Sequence, residues 1–201
     1  MRLAKEGKAT LLFVDAAHFV MGCDFLGYVY GATRRFLRTY SGRRRYNVLG
    51  ALNYASKKVT TVSNDAYITA SEICELLKKL AVEYVDKPIH VVLDNARYQK
   101  CAVVAELANN LGIRLVFIPP YSPNLNLIER LWKHVKCKLR TKCYDDFDSF
   151  KGKIDSIVDN TDKDDFSAIN RLIGEKVQLF DDSPDACNSA SNSAETVDLA
   201  A

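Results

Sequence analysis

The sequence predicts an α/β fold in which a mixed sheet is flanked by helices, forming one domain with a tail. Three observations predict it. Short runs rich in β-branched and aromatic residues open the chain, apolar runs alternate with helical periodicity through its middle, and all periodicity is lost near its end. With 201 residues, 48% of them hydrophobic and 26% charged, the chain is long enough to bury one sizeable core.

The runs "TLLFVD", "FLGYVYG", "YNVLGALN" and "KKVTTVS" read as strands parted by Gly, Ser, Asn or Lys, and an antiparallel meander is their natural arrangement. A helix follows over about residues 70–85, opened by a capping box from Thr69 to Glu72. It carries Ile73, Leu76, Leu77, Leu80 and Tyr84 on one face. The apolar run "IHVVLD" then ends at Asp94. Beyond it Val103, Val104, Leu107 and Leu111 keep helical phase until Gly112, and the strand "IRLVFI" stops at Pro119 and Pro120. This β-α-β order implies a parallel pair with a right-handed crossover, so the C-terminal ends of both strands share one edge. Asp94 lies on that edge, where ligands commonly bind.

The segment "NLNLIERLWKHVKCKLR" is strongly helical. Leu125, Ile128, Leu131, Trp132, Val135 and Leu139 form its core stripe, and Asn126, Glu129 or Arg130, Lys133, Lys136 and Arg140 the opposite one. Helices are expected near residues 147–159 and 166–179. Residues 145–180 thus read as a helical extension of the domain in 1–144, and 181–201 as a disordered tail.

No apolar run approaches the roughly 18 residues that span a bilayer, and the first residues lack the apolar core of a secretion signal, so a soluble, cytoplasmic protein without a membrane partner is expected. Six cysteines without a C-x-x-C pair read as reduced, structural thiols. No ligand spacing supports a zinc site built from them with His18, His90 and His134. "EGKAT" lacks the first glycine of a phosphate loop and has Ala9 where Ser or Thr should stand.

The net charge of +3 hides an asymmetry: residues 1–144 carry +12 and residues 145–201 carry −9. From Phe25 to Asn64 there is no acid, while Arg34, Arg35, Arg38, Arg43, Arg44, Arg45, Lys57 and Lys58 all occur there. A solvated basic face is the bland reading of such a run. A surface for double-stranded DNA is the reading favoured by forty residues without one compensating acid.

Asp15 interrupts the apolar run "LLFVDAAHFV", and burying a carboxylate costs on the order of several kcal/mol unless it is compensated. Asp94 at a later strand end and Glu129 on the following helix are acids in comparable positions. If the three meet, mutual repulsion raises their pKa values, and only divalent metal keeps them ionised at neutral pH. Oxygen ligands favour Mg²⁺ or Mn²⁺, and two such ions about 4 Å apart suit phosphodiester chemistry. For any one acid alone, an isolated strand-end or helix-surface residue is the commoner outcome.

The stretches "HVVLDNARYQK" and "PPYSPNLNLIERLWKHVK" resemble the second and third catalytic blocks of mariner-like insertion-sequence transposases of the DDE superfamily, and "LLFVDAAHF" resembles the first. Between Asp94 and Glu129 lie 34 residues, the spacing of that group. The likeness extends from about Leu11 to Arg140. It implies a ribonuclease H-like fold with a mixed five-stranded sheet, and Asp15, Asp94 and Glu129 as the catalytic, metal-binding triad. It also implies a reaction: metal-dependent cleavage at transposon ends, then attack of the freed 3′-hydroxyl on target DNA.

Asn95 is expected to orient a metal-bound water, to contact phosphate or to form a turn. Lys133, Lys136 and Arg140 are expected at DNA phosphates or on a solvated helix face. Trp132 is assigned to the core, and His18 to a structural role. Full-length relatives carry an N-terminal helix-turn-helix region, and this chain begins almost at the first catalytic strand. It therefore reads as a catalytic half that acts as a homodimer or with a separately encoded helix-turn-helix region. The rival reading is a catalytically silent fragment that binds DNA, or a full-length transposase, as a regulator.

Overall fold

After a short helix α1 (Arg2–Lys5), the chain forms β1 (Thr10–Val20), β2 (Arg45–Asn53), β3 (Val59–Asn64), α2 (Ala70–Glu83), β4 (Ile89–Leu93), α3 (Ala102–Asn110), β5 (Ile113–Phe117), α4 (Ile128–Leu139) and α5 (Phe147–Asp159). These elements come from a computed structural model that describes residues 2–21, 44–119, 125–140, 144–161 and 170–171. The strand reading of "FLGYVYG", Arg34, Arg35, Arg38 and Arg43, most of the helix expected at 166–179 and the tail 181–201 lie outside the described residues.

The strands build one mixed sheet in the order β3-β2-β1-β4-β5. β1, β2 and β3 pair antiparallel, whereas β1–β4 and β4–β5 are parallel, as the β-α-β pattern requires. Alternation along β1 sends Leu12 and Val14 to one face, where they pack with Ile73, Leu76, Leu77 and Leu80 of α2 and Val104 and Ala108 of α3. Phe13, Ala17 and Phe19 face the other side, among Ile128, Leu131, Trp132, Val135 and Leu139 of α4 and Phe150, Ile154 and Val158 of α5. Two helical layers thus cover a central sheet, the ribonuclease H-like arrangement. Tyr46 ties α5 down by donating its hydroxyl hydrogen to Asp155 at 2.8 Å.

The capping box that opens α2 forms as expected: Glu72 accepts from the Thr69 amide at 2.7 Å, and the Thr69 hydroxyl accepts from the Ser71 amide at 3.2 Å. Gly112 ends α3 with a φ of +67°, a value that favours glycine.

Three sequence expectations need correction. Asp15 is not a strand end, because β1 continues to Val20. Pairing with β2 runs on to Val20↔Arg45 while pairing with β4 stops at Phe13↔Val92, so Asp15 lies in a strand with a neighbour on one side only. Val103 is 64% exposed although it keeps helical phase, since α3 packs on the sheet through Val104 and Ala108. Asn126 precedes α4 and is 1% exposed, so it does not belong to the outward stripe.

Candidate active site

The site is assembled from the ends of three elements. Asp15 has the parity of Phe13 and Ala17 and therefore faces the α4 layer, level with Gly50 of β2. Asp94 follows the last residue of β4 and begins a turn in which its Oδ1 accepts from the Ala96 amide at 3.1 Å. Glu129 sits in the first turn of α4, where the helix dipole favours an acid. The helix starts at Ile128, so Glu129 is nearer its N-terminus than the sequence pattern indicated.

The electrostatics tie these carboxylates to one neighbourhood. Asp15 is pushed from an ordinary 3.8 up to about 7, first by burial and then by Asp94 and Glu129, against the opposing pull of the Ala16 backbone amide and Lys136. Glu129 is also raised, by burial and then by Asp94. Tyr98, which the sequence reading overlooked, has its phenol raised by burial first and then by Asp94, with Asp15 adding to it. Its only advance signal was its place four residues beyond Asp94.

Among the described residues, no three His, Cys, Asp or Glu side chains converge closely enough to hold a metal ion. The chemistry of the acids nevertheless fits a hard cation: all the donors are carboxylate oxygens, and both Asp15 and Glu129 are raised first by burial and then by neighbouring acids, costs of ionisation that a divalent ion would offset.

A cleft runs along the exposed side of β1 and α4, lined by Asp15, His18, Glu129, Lys133, Lys136 and Arg140. Three basic residues at one-turn intervals thus share a groove with two of the acids. His18 meets Asn47 at 2.6 Å, and because Asn47 donates its own amide to the Ala66 carbonyl, its Oδ1 accepts from the ring Nδ1–H. Trp132 packs edge-on against Phe19 with centroids 6.2 Å apart, as a core residue should.

Other expected residues are placed elsewhere. Asn95 donates its amide to the Ile118 carbonyl, joining the exits of β4 and β5. Lys57 is 6% exposed, donates to the Tyr54 carbonyl and lies over the Tyr54 ring, so it does not present its charge on a DNA-facing surface. Lys58 pairs with Glu83 at 2.6 Å. Both lysines belong to the β2–β3 turn, beyond Leu12↔Asn53 at the N-terminal end of β1, whereas Asp15 lies mid-strand. Arg44 and Arg45 are exposed at the opposite end, where Arg45 pairs with Val20, and Arg44 stacks over Phe147 at 4.2 Å. Cys74, Cys101 and Cys137 are free thiols.

The raised Asp15 yields a pH prediction. Between pH 3.8 and about 7 the folded protein holds a proton that the unfolded chain has released, so stability falls as pH rises through that window and levels off above it. The gap corresponds to about 4 kcal/mol. Asp15→Asn is therefore expected to equal wild type near pH 4 and to exceed it by up to that amount at pH 8. Urea denaturation in metal-free buffer measures the difference, and a constant offset across pH would refute it.

Residues 10–151 match the family model described as DDE superfamily endonuclease. The insertion element IS630 uncharacterized 39 kDa protein of Shigella sonnei is 34% identical over 91 residues, 44% of this chain and 26% of that protein. Among solved structures, the Mos1 transposase paired-end complex with left transposon end has a TM-score of 0.59 at 15% identity, over 86% of this chain and 55% of that one. The simian T-cell lymphotropic virus intasome in complex with PP2A regulatory subunit B56 gamma has a TM-score of 0.51 at 18% identity, over 73% and 47%. The chain thus spans about a quarter of that curated relative and about half of each solved structure. Since the family match takes in all five strands and the whole of α4, the chain belongs to the DDE superfamily of endonucleases.

Proposed function

We propose that this chain is the catalytic domain of a transposase, which cuts DNA at transposon ends and transfers the freed 3′-hydroxyl into target DNA. The observation that carries the reading is that Asp15 and Glu129 share a groove with the basic row of α4 and that Asp94 acts on both, raising each alongside burial. In this reading residues 1–144 are the catalytic core, 145–180 its helical extension and 181–201 a tail.

Asp15, Asp94 and Glu129 would hold two Mg²⁺ or Mn²⁺ ions, which when bound activate the attacking oxygen and offset charge on the leaving one. The chain's own residues do the rest. Lys133, Lys136 and Arg140 line the groove that leads to Asp15 and Glu129, where they contact phosphates flanking the scissile bond. Lys136 additionally favours the ionised form of Asp15. Arg44 and Arg45 add exposed positive charge at the Val20 end of β1, and Arg34, Arg35, Arg38 and Arg43, which lie outside the described residues, are proposed from the sequence as further DNA-binding positions. Two transposon ends must be handled together, which calls for a homodimer or for assembly with a separately encoded helix-turn-helix region. The similar Mos1 structure is a paired-end complex with a transposon end.

Metal binding is tested without DNA. At pH 8, Mg²⁺ or Mn²⁺ at 100 times its dissociation constant is expected to stabilise wild type by about 2.7 kcal/mol, read as a rise in Tm. Asp15→Asn, which removes one ligand charge, is expected to lose most of that rise. An equal rise in both proteins would place the ion elsewhere and remove the triad from the proposal. A silent DNA-binding regulator would share the basic groove and differ in showing no metal-dependent cleavage.

A further inference from the structure

We propose that Asn126 is a positioning residue that holds the Asp15 strand and the Glu129 helix in register; the role is defined by the chemistry put forward under Proposed function and rests on that reading. Asn126 grips both acids' elements at once. Its side-chain amide donates to the Val14 carbonyl at 3.1 Å, and that carbonyl belongs to the peptide bond leading into Asp15. Its own backbone carbonyl accepts from the Glu129 amide at 3.2 Å. One residue therefore fixes the backbone on the near side of each carboxylate, across 112 positions of sequence. The grip falls one residue past Phe13↔Val92, the last pair between β1 and β4, where β1 has lost that neighbour.

The surroundings make packing an insufficient explanation. Asn126 is 1% exposed between Leu125 and Leu127, and its Oδ1 is buried with no hydrogen-bond partner among the described residues. An orphaned buried acceptor is destabilising, a cost that a leucine at the same position would avoid. The donor half of the amide is what a leucine cannot supply. Aspartate cannot supply it either, since it would set a carboxylate oxygen against the Val14 carbonyl, and glutamine carries the amide one methylene too far.

The test compares Asn126→Ala with Leu139→Ala, which removes a buried side chain from the far end of α4. Amide hydrogen exchange of the metal-free protein is the first readout. Asn126→Ala is expected to speed exchange about tenfold or more at residues 14–16 and 128–131 while leaving 135–139 unchanged; Leu139→Ala is expected to do the reverse. The second readout is the Mg²⁺ concentration at half-maximal rise in Tm. Asn126→Ala is expected to raise it about tenfold or more, and Leu139→Ala to leave it at the wild-type value. Uniform or absent change in exchange, or equal metal midpoints in the two variants, would overturn the proposal. If wild type itself shows no response to Mg²⁺, the metal reading fails, and the exchange pattern still decides whether Asn126 clamps the two elements.

Discussion

Asp94→Asn is expected to abolish Mg²⁺-dependent cleavage of transposon-end DNA, by about a thousandfold or more, while the protein stays folded and still binds DNA. The choice of asparagine follows from the turn. Asp94 Oδ1 accepts from the Ala96 amide, and an asparagine oxygen can accept the same bond, so the loop after β4 keeps its geometry while one negative charge disappears. Losing a ligand carboxylate forfeits several kcal/mol of transition-state charge stabilisation, and each 1.36 kcal/mol is a factor of about ten in rate. Asp94→Ala would lose the charge and the turn together, so similar defects in both variants would assign the effect to charge. Wild type and Asp94→Asn are compared on labelled duplex in Mg²⁺, with binding measured separately in Ca²⁺. Indistinguishable cleavage rates would end the enzyme reading and leave the silent regulator in its place.

Much of this site was legible in the sequence because it depends on local signals. Asp94 closes an apolar run, and Glu129 opens an amphipathic helix whose buried stripe is seen in the structure from Ile128 to Leu139. The capping box of α2 needed only residues three apart. What stayed hidden depends on which strand neighbours which. Asp15 looks like a terminus because β4 stops beside it, yet β2 continues, and no pattern within β1 records how far a neighbour reaches. Lys57 counted as a surface charge until its chain was seen laid over Tyr54 in a turn with φ of +62°. Asn126 has helical phase with the basic stripe, but the helix begins two residues later, so the phase does not apply to it. The electrostatic coupling of the acids was expected as a consequence of their convergence. The bond from the Ala96 amide to Asp94 could not be, because an aspartate side chain that bonds its own loop leaves no trace in periodicity.

Gly50 joins the fold to the chemistry, and filling it should damage both. It stands opposite Asp15 in the β1–β2 pair, and a Cβ added there would lie 2.7 Å from Trp132 Cζ2, 2.8 Å from Cη2 and 3.2 Å from Ile128 Cδ1. The glycine is required by this close approach of α4. Gly50→Ala is expected to cost about 1–3 kcal/mol, as overpacked cores do, which lowers Tm by roughly 2–4 °C per kcal/mol in a chain of this size. The displacement has a direction as well. Ile128 and Trp132 flank Glu129 on α4, so pushing them off the sheet carries Glu129 away from Asp15, and the loss of cleavage should exceed the loss of folded protein. Trp132→Phe supplies the control, since phenylalanine lacks the outer ring atoms that the new Cβ would strike. Combined with Gly50→Ala it is expected to be less harmful than the two single changes added together, with a coupling of about 1 kcal/mol or more in a double-mutant cycle by urea denaturation. Strict additivity would mean that α4 is held off by something other than the Trp132 ring, and the proposed link between Gly50 and the spacing of the acids would fall with it.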